Sequence, residues 1–156
     1  SLKQTALKIL NKAEKYSCEI ILPTDLIIAK ELSKNTPTSI VSADECPENY
    51  MILDAGPLTV EIIKKELNSA KTLLWNGPLG AFEVSPFDQA TTQAAKFASE
   101  KTKNGDLISV AGGGDTLAAL NKAGVAGSFT YVSTAGGAFL EWLEGKELPG
   151  VSYLIN

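Results

Sequence analysis

The segment LISVAGGGDTLAALNKAG, residues 107–124, runs an apolar stretch into Gly112, Gly113 and Gly114 and then into Asp115 and Thr116. Residue types in this order suit an anion. Glycines let backbone N–H groups approach a phosphate without an intervening Cβ and reach positive φ. A helix that starts just after a strand turns the positive end of its dipole toward the same place. The same residues admit a plainer reading, a tight strand-to-helix turn with Asp115 or Thr116 as the N-cap, and a short glycine motif does not by itself separate the two. A P-loop is excluded because Lys-Ser or Lys-Thr follows none of the glycine stretches. A dinucleotide fingerprint is excluded because Leu117 stands where its third glycine is needed.

Two other stretches have the same form, LLWNGPLGAFE at 73–83 and STAGGAF at 133–139. Three glycine turns at successive strand ends predict a long cleft for a polyphosphate ligand. Asn76-Gly77-Pro78 also reads as a simple turn, and Glu83 as a solvated surface charge.

The elements that must position these turns alternate along the chain. Residues 2–16 carry Leu2, Ala6, Ile9, Leu10 and Ala13 at helical spacing, and EIILP at 19–23 follows as a short strand. LIIAKEL at 26–32 is ambiguous, TSIVSA at 38–43 reads as a strand, and 59–70 places Val60, Ile63, Leu67 and Ala70 on one helical stripe. Strands at 71–76, 107–111 and 130–134 then alternate with helices at 86–102, 116–124 and after Gly136. Continuous apolar strands alternating with helices predict an α/β fold, a mostly parallel sheet covered on both faces.

Composition narrows the chemistry. The chain has 156 residues, which suits one domain, and no apolar run approaches the roughly 18 residues of a membrane span. There is no signal-peptide pattern, and the expected compartment is the cytosol. There is no histidine and no arginine, so a His-based general base and an arginine clamp on phosphate are both excluded from this stretch. The net charge of −4, with acids spread along the chain, lacks the basic footprint of a nucleic-acid binder. Cys18 and Cys46 are expected as reduced, buried small residues, and Trp75, Phe82 and Trp142 as core packing. Ser1 in place of an initiator methionine, and a first helix without a strand to cover, lead to the expectation that the chain is part of something longer.

LLWNGPLGAFE, GGGDT, STAGGAFLEWLEGKELPGV, ILPTD and LDAGP resemble, in order, the motifs of the phosphoglycerate kinase family. The resemblance covers essentially the whole chain and only the later part of that enzyme. It implies a single partial domain over 1–156, much of the carboxyl-terminal, nucleotide-binding, Rossmann-like lobe of a two-lobe kinase, with helices on both sheet faces and the amino-terminal lobe absent. The complete enzyme would be a monomer that moves a phosphoryl group between ATP and 3-phosphoglycerate, the latter held by the missing lobe. The resemblance makes Asp115 the ligand of Mg²⁺ and gives Thr116 a bond to a phosphate through its hydroxyl or its N–H. It places Gly112, Gly113 and Gly114 at the phosphates, Asn76 and Pro78 beside the nucleoside, and Glu83 on the ribose. Gly136 and Gly137 belong to a third turn facing the cleft, where this chain departs from the family pattern with Ala135 for the first glycine and Phe139 for a common serine. The alternatives are a noncatalytic nucleotide-binding module and a structural domain without a ligand. Alone, the chain is expected to be inactive.

Overall fold

The computed structural model describes residues 2–155. Its elements follow in the order α1 (Leu2–Lys15), β1 (Asp25–Ala29), β2 (Ser39–Ser42), β3 (Met51–Ala55), α2 (Pro57–Ser69), β4 (Thr72–Asn76), α3 (Gln89–Lys103), β5 (Ile108–Gly112), α4 (Gly114–Lys122), β6 (Tyr131–Ser133), α5 (Gly136–Leu143) and α6 (Pro149–Ile155), with short 3₁₀ turns at Ala43–Glu45 and Ala126–Ser128.

The strands form two sheets. β4, β5 and β6 are parallel in that order, joined by the α3 and α4 crossovers that parallel pairing requires. β1, β2 and β3 form a separate antiparallel sheet in the order β2-β1-β3. The expectation of a mostly parallel sheet therefore holds for the second half of the chain only. The signal for the first half lay in what separates its strands: no long helix lies between Ala29 and Met51, so no parallel crossover was available.

Side-chain alternation along β4 and β5 sorts the two faces of the parallel sheet. Leu73, Trp75 and Ala111 point toward α2, α3 and α4, and with Leu67, Ala94, Ala95, Ala98 and Leu120 they make the main core. Alanines dominate the face of α3 toward the sheet, which lets the helix lie close over the strands. Trp75 meets Phe129 edge-on at 6.2 Å between ring centroids, an arrangement aromatic quadrupoles favour. On the opposite face α5 brings Phe139 onto Gly112 at the carboxyl end, while Leu74, Ile108 and Tyr131 are exposed. This is an α/β domain with helices on both sides of a parallel sheet.

Several expectations change. EIILP forms no strand: among the described residues nothing pairs with it, and Ile20, Ile21 and Leu22 are exposed. An extended segment with no partner has nowhere to place its backbone hydrogen bonds except water. The helix α1 exists, but none of its residues is buried, so its apolar stripe has no cover here. Cys18 is exposed and Cys46 half-buried, both as free thiols. Trp75 and Phe82 are core residues as expected, whereas Trp142 is 61% exposed on the short helix α5, which buries no residue.

The motifs ILPTD and LDAGP meet through Asp25. Its buried carboxylate accepts the N–H groups of Leu58 (3.0 Å) and Thr59 (2.8 Å) and the Thr59 hydroxyl (2.7 Å), capping α2 from a different strand. Burial alone would raise this carboxyl, yet those hydrogen bonds outweigh it and hold it below the usual carboxylate range.

Candidate functional site

Parallel register puts the three glycine turns in one row. Asn76 at the end of β4 pairs with Gly112 at the end of β5, and Gly112 pairs with Ser133 at the end of β6. Each strand then turns at the same edge of the sheet. Two of these turns touch: Gly136 packs directly onto the Gly113 backbone, and a Cβ there would collide with it.

The middle turn leads straight into a helix. Gly113 is the residue before α4, at φ 104°, a conformation that favours glycine, and no side chain caps the helix. The plainer reading, Asp115 or Thr116 as the N-cap, is therefore overturned; both lie inside the first turn. The first N–H of α4 to find a carbonyl is that of Leu117, bonded to Gly113 O at 2.9 Å. Helix geometry gives the amides of Gly114, Asp115 and Thr116 no intrahelical acceptor, so they face the edge where the three strands end.

Asp115 is exposed in this first turn, and Gly114 has open space around it. No group of three or more potential ligands occurs among the described residues. One exposed carboxylate is a donor of the kind Mg²⁺ takes, which uses one or two protein carboxylates and fills its shell with phosphate oxygens and water, while the unpaired amides beside it suit the phosphate oxygens and not the cation. Thr116 is 2% exposed, and its hydroxyl accepts the Gly77 N–H at 2.7 Å. That bond ties the first glycine turn to α4; the hydroxyl accepts in it and keeps its own proton, so both the Thr116 hydroxyl and the Thr116 N–H remain donors.

The third turn is built differently. Ala135 precedes α5 at φ −96°, outside the left-handed region that favours glycine, so its φ does not require glycine there. Phe139, the second departure, covers Gly112. Gly136 is half-buried against Gly113, while Gly137 is exposed with nothing near it.

Asn76 ends β4, and Pro78 and Glu83 lie on the loop between β4 and α3. Besides the Gly77 N–H to Thr116 bond, Trp75 Nε1 donates to Gly77 O at 2.7 Å, Leu79 N–H to Thr91 Oγ1 at 2.9 Å and Ala81 N–H to Leu53 O at 2.8 Å, and these bonds fix the first part of the loop. Between Pro78–Ala81 and the β3 residues Ile52 and Leu53 is a pocket of about 260 Å³. A larger pocket of about 400 Å³ lies between Ile21–Pro23 and β4, and reaches the glycine row at Asn76 and Gly77. Sequence reasoning missed Ile52 and Leu53, because nothing local marks a strand residue as facing a loop thirty residues on.

Beneath this loop is Asp54, 2% exposed, in contact with Gly80 and accepting the N–H groups of Ala55 (2.9 Å) and Ala90 (3.0 Å). Burial raises its carboxyl to about 6, the Asp88 charge adds to the rise, and the two N–H bonds oppose it.

An open parallel sheet that gathers three glycine turns and the starts of two helices in one row at its carboxyl edge is a Rossmann-like domain whose edge has the form that suits an anion. Comparison with known proteins makes this specific. The family model described as phosphoglycerate kinase matches residues 1–146. The chain belongs to the phosphoglycerate kinase family. It is 59% identical over 153 residues to the phosphoglycerate kinase of Xanthobacter autotrophicus, covering 98% of this chain and 39% of that protein. Against the enzyme of Methylobacterium radiotolerans the identity is 60%, covering 98% of this chain and 38% of that protein. The solved phosphoglycerate kinase of Coxiella burnetii superimposes with a TM-score of 0.88 at 40% identity, over 96% of this chain and 38% of that one. The Pyrococcus horikoshii structure gives a TM-score of 0.69 at 26% identity, over 97% of this chain and 38% of that one. The chain thus spans about two-fifths of the length of the curated relatives it matches.

Proposed function

We propose that this chain supplies the Mg-nucleotide side of a phosphoglycerate kinase site, where a phosphoryl group passes reversibly between ATP and 3-phosphoglycerate to give ADP and 1,3-bisphosphoglycerate. The observation that carries this reading is the row Asn76–Gly112–Ser133, with the start of α4 opening onto it and Gly136 packed on Gly113. In these terms 1–156 is one partial nucleotide-binding domain of a monomeric, cytoplasmic enzyme, and the 3-phosphoglycerate lobe lies in the part of the relatives' length outside this chain. No helix among the described residues is long and apolar enough to cross a membrane.

The chemistry follows from the edge. The amides at Gly112, Gly113 and Gly114, with those at Gly136 and Gly137, face the transferring phosphoryl group, whose loose transition state is stabilised mainly by prepositioned dipoles and charge. Asp115 would hold Mg²⁺, which when bound neutralises charge on the nucleotide phosphates. Thr116 takes a phosphate oxygen through its hydroxyl or its N–H. The pocket beside Pro78 has apolar walls from Ile52 and Leu53 and suits the flat base, and Glu83, further along the same loop, takes the ribose hydroxyls. The acceptor carboxylate is ionised at neutral pH, so no general base is required, consistent with a chain lacking histidine.

Titration of Mg-ADP into the chain tests the reading. Saturable binding that weakens in Asp115→Ala is expected, and no binding, either to the chain or to a full-length protein carrying it, overturns it.

A further inference from the structure

Lys122 stands in the last turn of α4, and its side chain leaves the helix for the loop between β4 and α3. Its Nζ lies 2.7 Å from the carbonyl oxygen of Phe82, 3.5 Å from that of Glu83 and 3.0 Å from Asp88 Oδ2. A lysine at a helix end ordinarily serves the carbonyls of its own last turn or water. This ammonium has three protons and three acceptors, all on another element. Fixing so flexible a side chain costs rotamer entropy, so the ordered geometry depends on the charge partner and the carbonyls together. Asp88 is that partner: it is 8% exposed, and although burial raises its carboxyl, the hydrogen bonds from Lys122 and Gln89 outweigh that and hold it low.

Near Glu83 the loop is also held by the buried Phe82 side chain and, two residues away, by the Ala81 N–H to Leu53 O bond. The other main-chain bonds there are local, from Phe82 N–H to Gly80 O, Val84 N–H to Ala81 O and Phe87 N–H to Val84 O, and the Lys122 contacts are the ones that join Phe82 and Glu83 to α4. At its other end α4 carries Asp115 and Thr116. Its nine residues make a strut about 13 Å long.

We propose that Lys122 is a positioning residue: by clamping the Phe82 and Glu83 carbonyls to the end of α4, it sets the Glu83 side chain relative to Asp115 and Thr116 at the helix start. This rests on the nucleotide reading above and specifies how that site keeps its span. One helix then carries the phosphate end at its first turn and holds the ribose end at its last.

The test is a double-mutant cycle on Mg-ADP binding and turnover in a full-length protein carrying this chain. Lys122→Met and Glu83→Gln should each weaken Mg-ADP about fivefold to tenfold while kcat changes less than about twofold, and the double variant should bind no more weakly than the weaker single. Lys122→Arg should recover most of the affinity. Effects that multiply in the double variant, or a Lys122→Met protein that binds like wild type, overturn the proposal. If Lys122→Met does not fold, Lys122→Gln takes its place in the cycle, and failure of both to fold also overturns it, because Lys122 then serves the fold rather than Glu83. A wild-type protein that does not bind Mg-ADP is a different outcome: it removes the nucleotide reading itself, and this proposal with it.

Discussion

Asp54 is the residue whose chemistry departs furthest from ordinary. Its folded carboxyl is raised to about 6 from 3.8, so below 3.8 both folded and unfolded chains hold the proton and nothing is lost. As pH rises through that window the unfolded chain releases its proton while the folded one keeps it, and stability falls by about 3 kcal/mol by the time pH passes 6. Asp25 and Asp88 act in the opposite sense. Their lowered values stabilise the fold above the ordinary carboxylate range and lose that contribution as pH falls below it. Urea unfolding between pH 4.5 and 7 therefore isolates Asp54: relative to wild type, Asp54→Asn should gain about 2 kcal/mol across that interval. A difference between the two that does not change with pH would place the Asp54 proton elsewhere. Glu83 and Asp115 are both exposed, and the proposed function separates them by role. Ribose contacts are made in ground and transition state alike, so Glu83→Gln should raise KM for ATP and leave kcat nearly intact in a full-length protein. Asp115→Ala should lower kcat by orders of magnitude with the fold retained, and stopped kinetics with an unchanged melting curve would be the signature.

At the scale of elements, the site depends on contacts between turns rather than within them. Gly136 and Gly137 look equivalent in sequence, yet only Gly136 has the Gly113 backbone where a Cβ would go. Gly136→Ala should cost about 1–3 kcal/mol by overpacking and disturb the Gly113 amide. Gly137→Ala adds a methyl to open space in a helix and should be neutral or slightly stabilising, since glycine is a poor helix residue. Denaturant midpoints of the two variants decide this, and equal losses would contradict the packing. Thr116 works at the same scale, because its hydroxyl receives the Gly77 N–H and joins two turns across the sheet edge. Thr116→Val should leave that N–H unpaired at a cost of about 1–3 kcal/mol, with Thr116→Ser close to wild type by thermal melting.

On the proposed function this chain carries one side of a cleft. Its positive charges are all lysines, and among them Lys122 is spent on Asp88 and the loop carbonyls. Phosphoryl transfer needs cations on the equatorial oxygens, where an arginine alone is worth roughly 10³–10⁵ in rate. A coupled assay with ATP and 3-phosphoglycerate should stay at background for this chain and rise only when the complementary part is supplied. Turnover by the purified chain, abolished in Asp115→Ala, would show a complete site within these residues.

Local sequence determined the kinds of element and where the glycine turns fall. Apolar periodicity marks which face of a helix or strand is buried, and a glycine run after an apolar stretch marks a strand-to-helix turn wherever it occurs; β4, α3, β5, α4 and β6 were legible for that reason. The GGGDT, NGPLGAFE and AGG motifs carried the family the same way. Tertiary structure decided which elements pair. EIILP has the composition of a strand and no neighbour to make it one, while MILDA became β3 by antiparallel pairing with β1, which its periodicity does not specify. It also decided that Gly136 meets Gly113, that Asp25 caps a helix more than thirty residues on, and that Lys122 reaches Phe82. Hydrogen-bond partners and packing neighbours so distant in sequence are chosen by the register of the sheet and the crossing of helices over it, and no residue encodes these by its own type.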